Sequence, residues 1–344
     1  MGAAKPAVVE SAPSVPCDLV YGADDGPGIT RKRSGDHFVY VDPDGKPVRD
    51  QAVIARINAL AIPPAYEDVW ICPDEKGHIQ ATGRDARGRK QYRYHEQWNQ
   101  VRDATKYQQL GEFAAALPRI RRRVARDMQS RAMTQDKVVA VVVRLLELTL
   151  IRIGTRTYAR TNKSYGLTTL RRRHTSVRGS SVRFRFKGKS GVQHDLTVTD
   201  RRIAAVIKRC MEIPGQELFQ YQDAEGNVHR IDSGSVNAYL KEAGKADFTA
   251  KHYRTWAASV FALDVLQQAQ RSGTRPTRAA VTDMLKAASR LLGNTPAVCR
   301  DCYIHPAIIS AFLDGHLPER KSYPGPAGLN ADERRFLAFL LQAC

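Results

Sequence analysis

The apolar pattern of this chain changes period once, and that change dictates a fold in two parts. Between Asp36 and Tyr94 the apolar residues come in short runs broken by turn residues, whereas beyond Trp98 they recur at helical spacing over long stretches. Residues 1–35, rich in Ala, Pro, Gly and Asp and lacking any period, are expected to form a disordered tail.

In the first part, Phe38–Val41 and Lys46–Val48 flank Asp44-Gly45 as a hairpin, and Gln51–Leu60 reads as a helix stopped before Ile62-Pro63-Pro64. Val69–Cys72, His78–Thr82 and Lys90–Tyr94 read as strands, giving a small antiparallel sheet domain over residues 36–112. Leu117-Pro118, followed by Arg119, Arg121, Arg122, Arg123 and Arg126, reads as a connector feeding a basic helix at the start of a larger domain, residues 113–344. There Thr134 caps an apolar helix that runs from Val138 to Gly154, with Arg152 in its last turn. Thr168–Leu170, Val182–Phe186 and Gln193–Val198 are predicted to form a three-stranded antiparallel sheet, whose hairpin turns at Gly188-Lys189-Ser190-Gly191. Helices follow over Asp200–Met211, Ser235–Ala243, Lys251–Gln270 and Pro276–Leu292, then a shorter one entered through Asn294-Thr295-Pro296 and ending at Tyr303. The fold class is therefore α+β, a small sheet domain followed by a larger, mostly helical domain that contains the three-stranded antiparallel sheet.

Charge narrows the partner. Lys and Arg number 54 against 35 Asp and Glu, a net charge of +19, which favours a polyanion, either nucleic acid or an anionic membrane. A spanning helix needs about 20 consecutive apolar residues, and the longest candidate, Val138–Ile153, is interrupted by Arg144, Glu147 and Arg152. The N-terminus has no continuous apolar run of the kind a secretory signal requires. Six cysteines (Cys17, Cys72, Cys210, Cys299, Cys302 and Cys344) are sparse for this length and suit reduced thiols in a cytosol. Cys299 and Cys302 form a Cys-x-x-Cys pair without a second pair at zinc-finger spacing, so no metal is expected.

Phosphate chemistry here must rest on fixed cations. Gly188-Lys189-Ser190 is not a P-loop, because position 183 is Arg where that motif needs glycine, and no His-Glu-x-x-His is present. Arg152 and Arg254 can each offer a planar fork to phosphate oxygens, although each alone reads equally as a surface ion-pair residue. Lys189 alone is an ordinary turn residue, Lys251 a helix-start charge and Asn294 a good N-cap. Tyr303 alone is a weak nucleophile, since a free phenol ionises near pH ~10.

Taken together, Ile151-Arg152-Ile153-Gly154, Tyr165-Gly166-Leu167-Thr168-Thr169-Leu170, Phe186-Lys187-Gly188-Lys189, Lys251-His252-Tyr253-Arg254-Thr255 and the Asn294–Tyr303 segment make the chain resemble the type IB DNA topoisomerases. The likeness is to their compact poxvirus-like and bacterial branch and runs from about Asp36 to beyond Tyr303. It implies that Arg152, Arg254 and Asn294 hold a scissile phosphate, that Lys189, helped by Lys251, protonates the leaving 5′ oxygen, and that Tyr303 attacks to give a 3′-phosphotyrosyl intermediate without ATP, metal or any other cofactor. Many relatives carry histidine where this chain has Asn294, which leaves that position a hydrogen-bonding role only. Gly83–Tyr94 resembles the DNA-contacting strand of the same family, which implies that Arg84, Arg87, Arg89 and Lys90 grip phosphates while Gln91, Tyr92 and Tyr94 touch the duplex. The residues read equally as an amphipathic edge strand. The resemblance implies double-stranded DNA as the partner, held by a monomer that clamps one duplex in the cytoplasm, at the nucleoid. Two alternatives remain on sequence grounds: a tyrosine recombinase, which shares the Arg, Lys, Arg and Tyr chemistry but needs synapsis of two sites, and a non-catalytic basic DNA-binding protein.

Overall fold

The structure, a computed structural model, describes residues 19–343. The chain divides into two compact units, Met1–Gln108 and Gln109–Cys344, against an expected boundary at residue 112.

The first unit is a five-stranded antiparallel sheet in the order β2-β1-β3-β4-β5, built from β1 (Ile29–Ser34), β2 (His37–Val41), β3 (Glu67–Ile71), β4 (Ile79–Arg84) and β5 (Lys90–Tyr94). Helix α1 (Gln51–Ala59) starts where the Asp50 carboxylate accepts the Ala52 N–H at 2.8 Å. Its Ile57 joins Ile29, Val69, Ile71 and Ala81 in the core of this unit.

Strand β1 corrects the expected tail, of which residues 1–18 lie outside the described residues. Only Ile29 of β1 is buried, so no apolar alternation announces the strand. Backbone pairing holds it instead, together with Arg31, whose guanidinium donates to the carbonyls of Ile62, Pro63 and Tyr66 at 2.8 to 3.1 Å. The hairpin also moves: Ser34 pairs with His37 around Gly35, at φ +61°, while Asp44-Gly45 makes a tight turn closed by the Asp42 N–H donating to the Lys46 carbonyl at 2.9 Å and by a Val41–Pro47 bridge.

Helix α2 (Glu96–Gln129) begins before the unit boundary and continues past it, with Pro118 inside it rather than in a connector. Proline removes one helical hydrogen bond. The loss is offset by a stripe of buried residues at helical spacing, Leu110, Phe113, Leu117, Ile120 and Val124, each contributing about 2 kcal/mol by burial.

In the second unit, α3 (Gln135–Thr149) is capped by Thr134, whose hydroxyl accepts the Lys137 N–H, and it is buried almost all round. It stops at Thr149, earlier than expected, because Leu150 turns into the left-handed region at φ +53°. Arg152 therefore stands in the extended segment after the helix. Helix α4 (Arg156–Asn162) follows. The three-stranded sheet is β6 (Thr175–Arg178), β7 (Ser181–Lys187) and β8 (Gln193–Thr199). Thr168–Leu170 is not its first strand, because Leu167–Thr169 forms a 3₁₀ turn whose amides at Leu167 and Thr168 bond back to Arg152 and Ile153. Val182, Phe184 and Phe186 of β7 face inward, toward α5 (Arg201–Glu212).

Next come the short hairpin β9 (Gln220–Gln222) and β10 (Val228–Arg230), then α6 (Ser233–Gly244), α7 (Ala250–Arg271), α8 (Arg278–Leu292), α9 (Pro296–Cys302), α10 (Pro306–Leu313) and α11 (Ala331–Ala343). The β9–β10 hairpin, α10 and α11 lie outside the sequence expectations. Helix α11 is locked in by a charged network: Arg121 of α2 donates to Glu147 of α3 at 2.6 Å and to Glu333 of α11 at 2.7 Å, and Glu333 also accepts the Trp256 indole N–H of α7 at 3.3 Å. Burial would push the Glu333 carboxyl up, but Arg121 outweighs it and holds the carboxyl below its ordinary pKa of 4.5.

Arg121→Ala should cost on the order of 3 kcal/mol, because it strands two carboxylates, and urea unfolding will measure it. The contribution of Glu333 is fully present above pH 4.5 and is lost as the pH falls through its lowered folded value. Acid unfolding of Glu333→Gln should lack that component.

Candidate active site

The site begins with two backbone segments pressed together. Gly166 lies so close to Ile151–Gly154 that a Cβ on it would stand 2.4 Å from the Arg152 carbonyl and 2.6 Å from the Gly154 nitrogen. The Leu167 and Thr168 amides then bond to the Arg152 and Ile153 carbonyls at 2.9 and 2.8 Å. Any side chain at 166 would push these segments apart and release Arg152.

Arg152, aimed by this contact, donates to the Gly293 carbonyl at 3.3 Å and to the Asn294 side-chain oxygen. Asn294 is not the cap of α9. Thr295 is, accepting the Val298 N–H at 3.3 Å, with Pro296 at the first helical position. The Asn294 side chain is thereby left to the site, beside the Cys299 thiol.

Helix α7 supplies Lys251 and Arg254, one turn apart on one face. Thr249 and His252 cap its start, the His252 Nδ1 accepting the Thr249 N–H at 3.0 Å. Arg254 is buried, 4% exposed, and its two terminal nitrogens donate to the carbonyls of Leu150 and, at 2.9 Å, Leu292. Its side chain also hydrogen-bonds that of Tyr303, and its charge sits 5.0 Å above the Tyr303 ring centroid. The fork expected to face phosphate is thus already engaged with two helix ends.

Tyr303 closes α9 and is anchored by Ser259, a buried residue of α7 that the sequence reading missed. The Ser259 hydroxyl donates to the Tyr303 carbonyl at 3.2 Å and accepts the His305 N–H at 3.0 Å. Its only sequence signal is a polar side chain within the apolar run Ala257–Leu263 of α7. Burial would raise the Tyr303 pKa, but Arg254, then Arg152 and Lys251, outweigh burial and hold the phenol below its ordinary value of 10.

A cleft of about 330 Å³ brings Arg152, Lys189, Lys251, Arg254 and Tyr303 together, and no Asp or Glu is among the described residues that line it. Lys189 is exposed at the tip of the β7–β8 hairpin, its ammonium 5.9 Å from the Tyr158 ring centroid. Nor does any of these four cations pair with a carboxylate elsewhere among the described residues.

The residues expected to contact DNA in the first unit do not all share a face. Alternation along β5 puts Lys90, Tyr92 and Tyr94 on one side, the two tyrosine rings stacked 5.9 Å apart, and Gln91 on the other. Gln91 and Arg89 both donate to Asp85, at 3.0 and 2.7 Å, and the Arg89 hydrogen bond is the main cause that brings the Asp85 carboxyl down to about 2. Arg84 pairs with Lys90 across the strands and with Asp68 at 3.3 Å, and Arg87 is exposed in the turn. Asp24, from the segment expected to be disordered, reaches Lys90 at 2.5 Å.

A tyrosine under an arginine, in a cleft of cations with no carboxylate among its described lining residues, is electrostatically suited to an anion. Comparison with known proteins agrees along both units. A family model described as "Eukaryotic DNA topoisomerase I, catalytic core" matches residues 95–314, and one described as "Bacterial DNA topoisomerase IB, N-terminal domain" matches residues 37–85. The chain is 33% identical over 285 residues to DNA topoisomerase 1B of Acanthamoeba polyphaga mimivirus, covering 80% of this chain and 85% of the relative. It is 20% identical over 252 residues to DNA topoisomerase I of Monkeypox virus and to DNA topoisomerase 1B of Vaccinia virus (strain Copenhagen), covering 72% of this chain and 76% of each relative. The chain belongs to the type IB DNA topoisomerases, enzymes of the isomerase class.

Without Arg254 the burial of Tyr303 would act against weaker opposition. In Arg254→Gln the phenol should ionise at higher pH than in the parent, read as the difference between ultraviolet titrations of each protein and its Tyr303→Phe counterpart. An unchanged or lowered titration would contradict the assigned cause.

Proposed function

We propose that this enzyme relaxes supercoiled double-stranded DNA by transient cleavage of one strand, with Tyr303 as nucleophile. The observation that carries the reading is the cleft itself, four unpaired cations around one phenol with no carboxylate among the described lining residues. The Tyr303 oxygen forms a bond to phosphorus as the bond to the 5′ oxygen breaks, leaving the protein joined to the 3′ end. Charge developing on the phosphoryl oxygens is met by Arg152, Arg254 and Asn294, while Lys251 assists Lys189.

The leaving 5′ oxygen takes its proton from Lys189, while the phenol proton passes to solvent. A positioned acid of this kind contributes roughly 10²- to 10⁴-fold in rate. Lysine suits the task because it can release a proton, whereas arginine keeps its own. A phosphodiester is exchanged for a phosphodiester, so the 5′ hydroxyl can reverse the step without ATP, and the torsion stored in the DNA drives relaxation. No step requires a metal. We place the reaction in a monomer clamped on one duplex in the cytoplasm, at the nucleoid, with Arg84, Arg87, Arg89, Lys90, Tyr92 and Tyr94 of the first unit gripping the duplex. Gln91 needs release from Asp85 before its amide can read a base edge.

Supercoiled plasmid should relax in a chelator and without ATP, and denaturant should trap protein on the 3′ end of nicked DNA. Tyr303→Phe should abolish both. Recombination between two sites without general relaxation would instead make the chain a recombinase, and binding without either activity would sink the catalytic reading. A second expectation concerns the first unit. Asp24 neutralises Lys90, so Asp24→Asn should tighten duplex binding several-fold at low salt, with a salt dependence steeper by about one phosphate contact. Unchanged or weakened binding would remove Lys90 from the interface.

A further inference from the structure

We infer that His194, outside the catalytic set, is a positioning residue that seats the Lys189 hairpin against the residues holding the phosphate. The inference rests on the reading of Lys189 as the acid.

His194 lies directly across from Phe186 in the β7–β8 pairing, and the two rings stack with centroids 4.7 Å apart and planes 11° from parallel. This ring pair sits immediately below the hairpin tip. Gly188 rests on the imidazole: a Cβ there would come within 2.6 Å of Nε2 and 2.7 Å of Cδ2. The backbone at Gly188, φ −90° and ψ −169°, is ordinary extended chain that any residue adopts. The ring, and not the backbone, is therefore what excludes a side chain at 188.

The imidazole also reaches the other half of the site. A Cβ on Gly293 would come within 3.3 Å of its Cε1. Gly293 gives its carbonyl to Arg152, and the next residue, Asn294, accepts from the same guanidinium. One flat ring is thus wedged between the residue before Lys189 and the residue before Asn294.

Lys189 needs such a wedge. It is exposed, with no carboxylate partner among the described residues, and the place of its ammonium follows from the turn that carries it. That turn is closed by the Gly188 N–H bonding to the Val192 carbonyl at 2.7 Å. The ring beneath it approaches Gly293 most closely, with the Val192 side chain beside it. Burial, together with the charges of Arg152 and Arg254, lowers the imidazole pKa and disfavours the charged ring.

The test separates acid placement from other defects by changing the leaving group. A bridging sulfur in place of the scissile 5′ oxygen leaves as a thiolate and needs no proton. Single-turnover cleavage of matched oxygen and sulfur duplexes should show His194→Ala slowed at least tenfold on oxygen and close to the parent enzyme on sulfur, with duplex affinity unchanged. Lys189→Ala should behave alike. Gly188→Ala, which drives a methyl group into the ring, should reproduce the pattern if His194→Ala folds poorly. His194→Phe, which keeps a flat ring but cannot carry a proton, should retain most of the oxygen rate.

A His194→Ala defect that persists on sulfur, while that of Lys189→Ala vanishes, would overturn the inference and leave the acid intact. Parent-like oxygen cleavage by His194→Ala would overturn it too. If His194→Phe is as slow as His194→Ala, the imidazole acts through its proton and the positioning role fails. If sulfur does not rescue Lys189→Ala, the acid assignment falls first and the inference with it.

Discussion

The buried guanidinium of Arg254 is the interaction on which the site is built. It spans two helix ends, taking the carbonyl of Leu150 just after α3 and that of Leu292, the last residue of α8. Both carbonyls lie at helix C-termini, where the backbone dipoles favour a cation, and this offsets part of the cost of burying the charge without a carboxylate. The segment after Leu150 carries Arg152, the residues after Leu292 are Gly293 and Asn294, and the ring under the guanidinium is Tyr303. One side chain thus sets the spacing of three segments distant in sequence.

The absence of acidic partners in the cleft has a thermodynamic counterpart. Cations gathered with no opposite charge repel one another and lower the stability of the free protein. An anion that binds the folded cleft removes that repulsion, so ligand affinity and fold stability are linked. The network of Arg121 with Glu147 and Glu333 lies on the other elements that frame α7, where the charges are paired. Arg123 with Asp127 and Arg335 with Asp264 follow the same pattern.

Much of this was legible in the sequence wherever a local pattern carried it. Val182, Phe184 and Phe186 alternate against Arg183 and Arg185, and β7 lies where that alternation places it. Thr134 caps the helix that follows it. Strand β1 was illegible because Arg31, and not an apolar side chain, secures it. Pro118 reads as a break, and only the tertiary burial of its helix keeps the chain helical there. In the cleft, Arg152, Lys189, Arg254 and Tyr303 were legible as a set through family resemblance, yet the engagement of Arg254 with two carbonyls was not, since nothing near position 254 encodes it. Asn294 reads as a helix cap from its neighbours, and only the structure shows that Thr295 holds that role. Ser259 showed only as a polar residue in an apolar run, and Gly166 only within a family motif, because their partners are distant backbone atoms.

Ser259 and Arg254 lie on one helix, so Tyr303 is held by α7 twice, at its backbone and at its ring. Helix α7 is itself joined through Trp256 to Glu333 of α11, and through that carboxylate to Arg121 of α2. When a DNA end is carried on the Tyr303 oxygen, as proposed, twisting of the free strand pulls on that single bond. The mechanical load then enters a rigid helix braced by two others rather than a loop. On the proposed mechanism such an anchorage keeps one end fixed while the other swivels, which gives the protein the part of a stator.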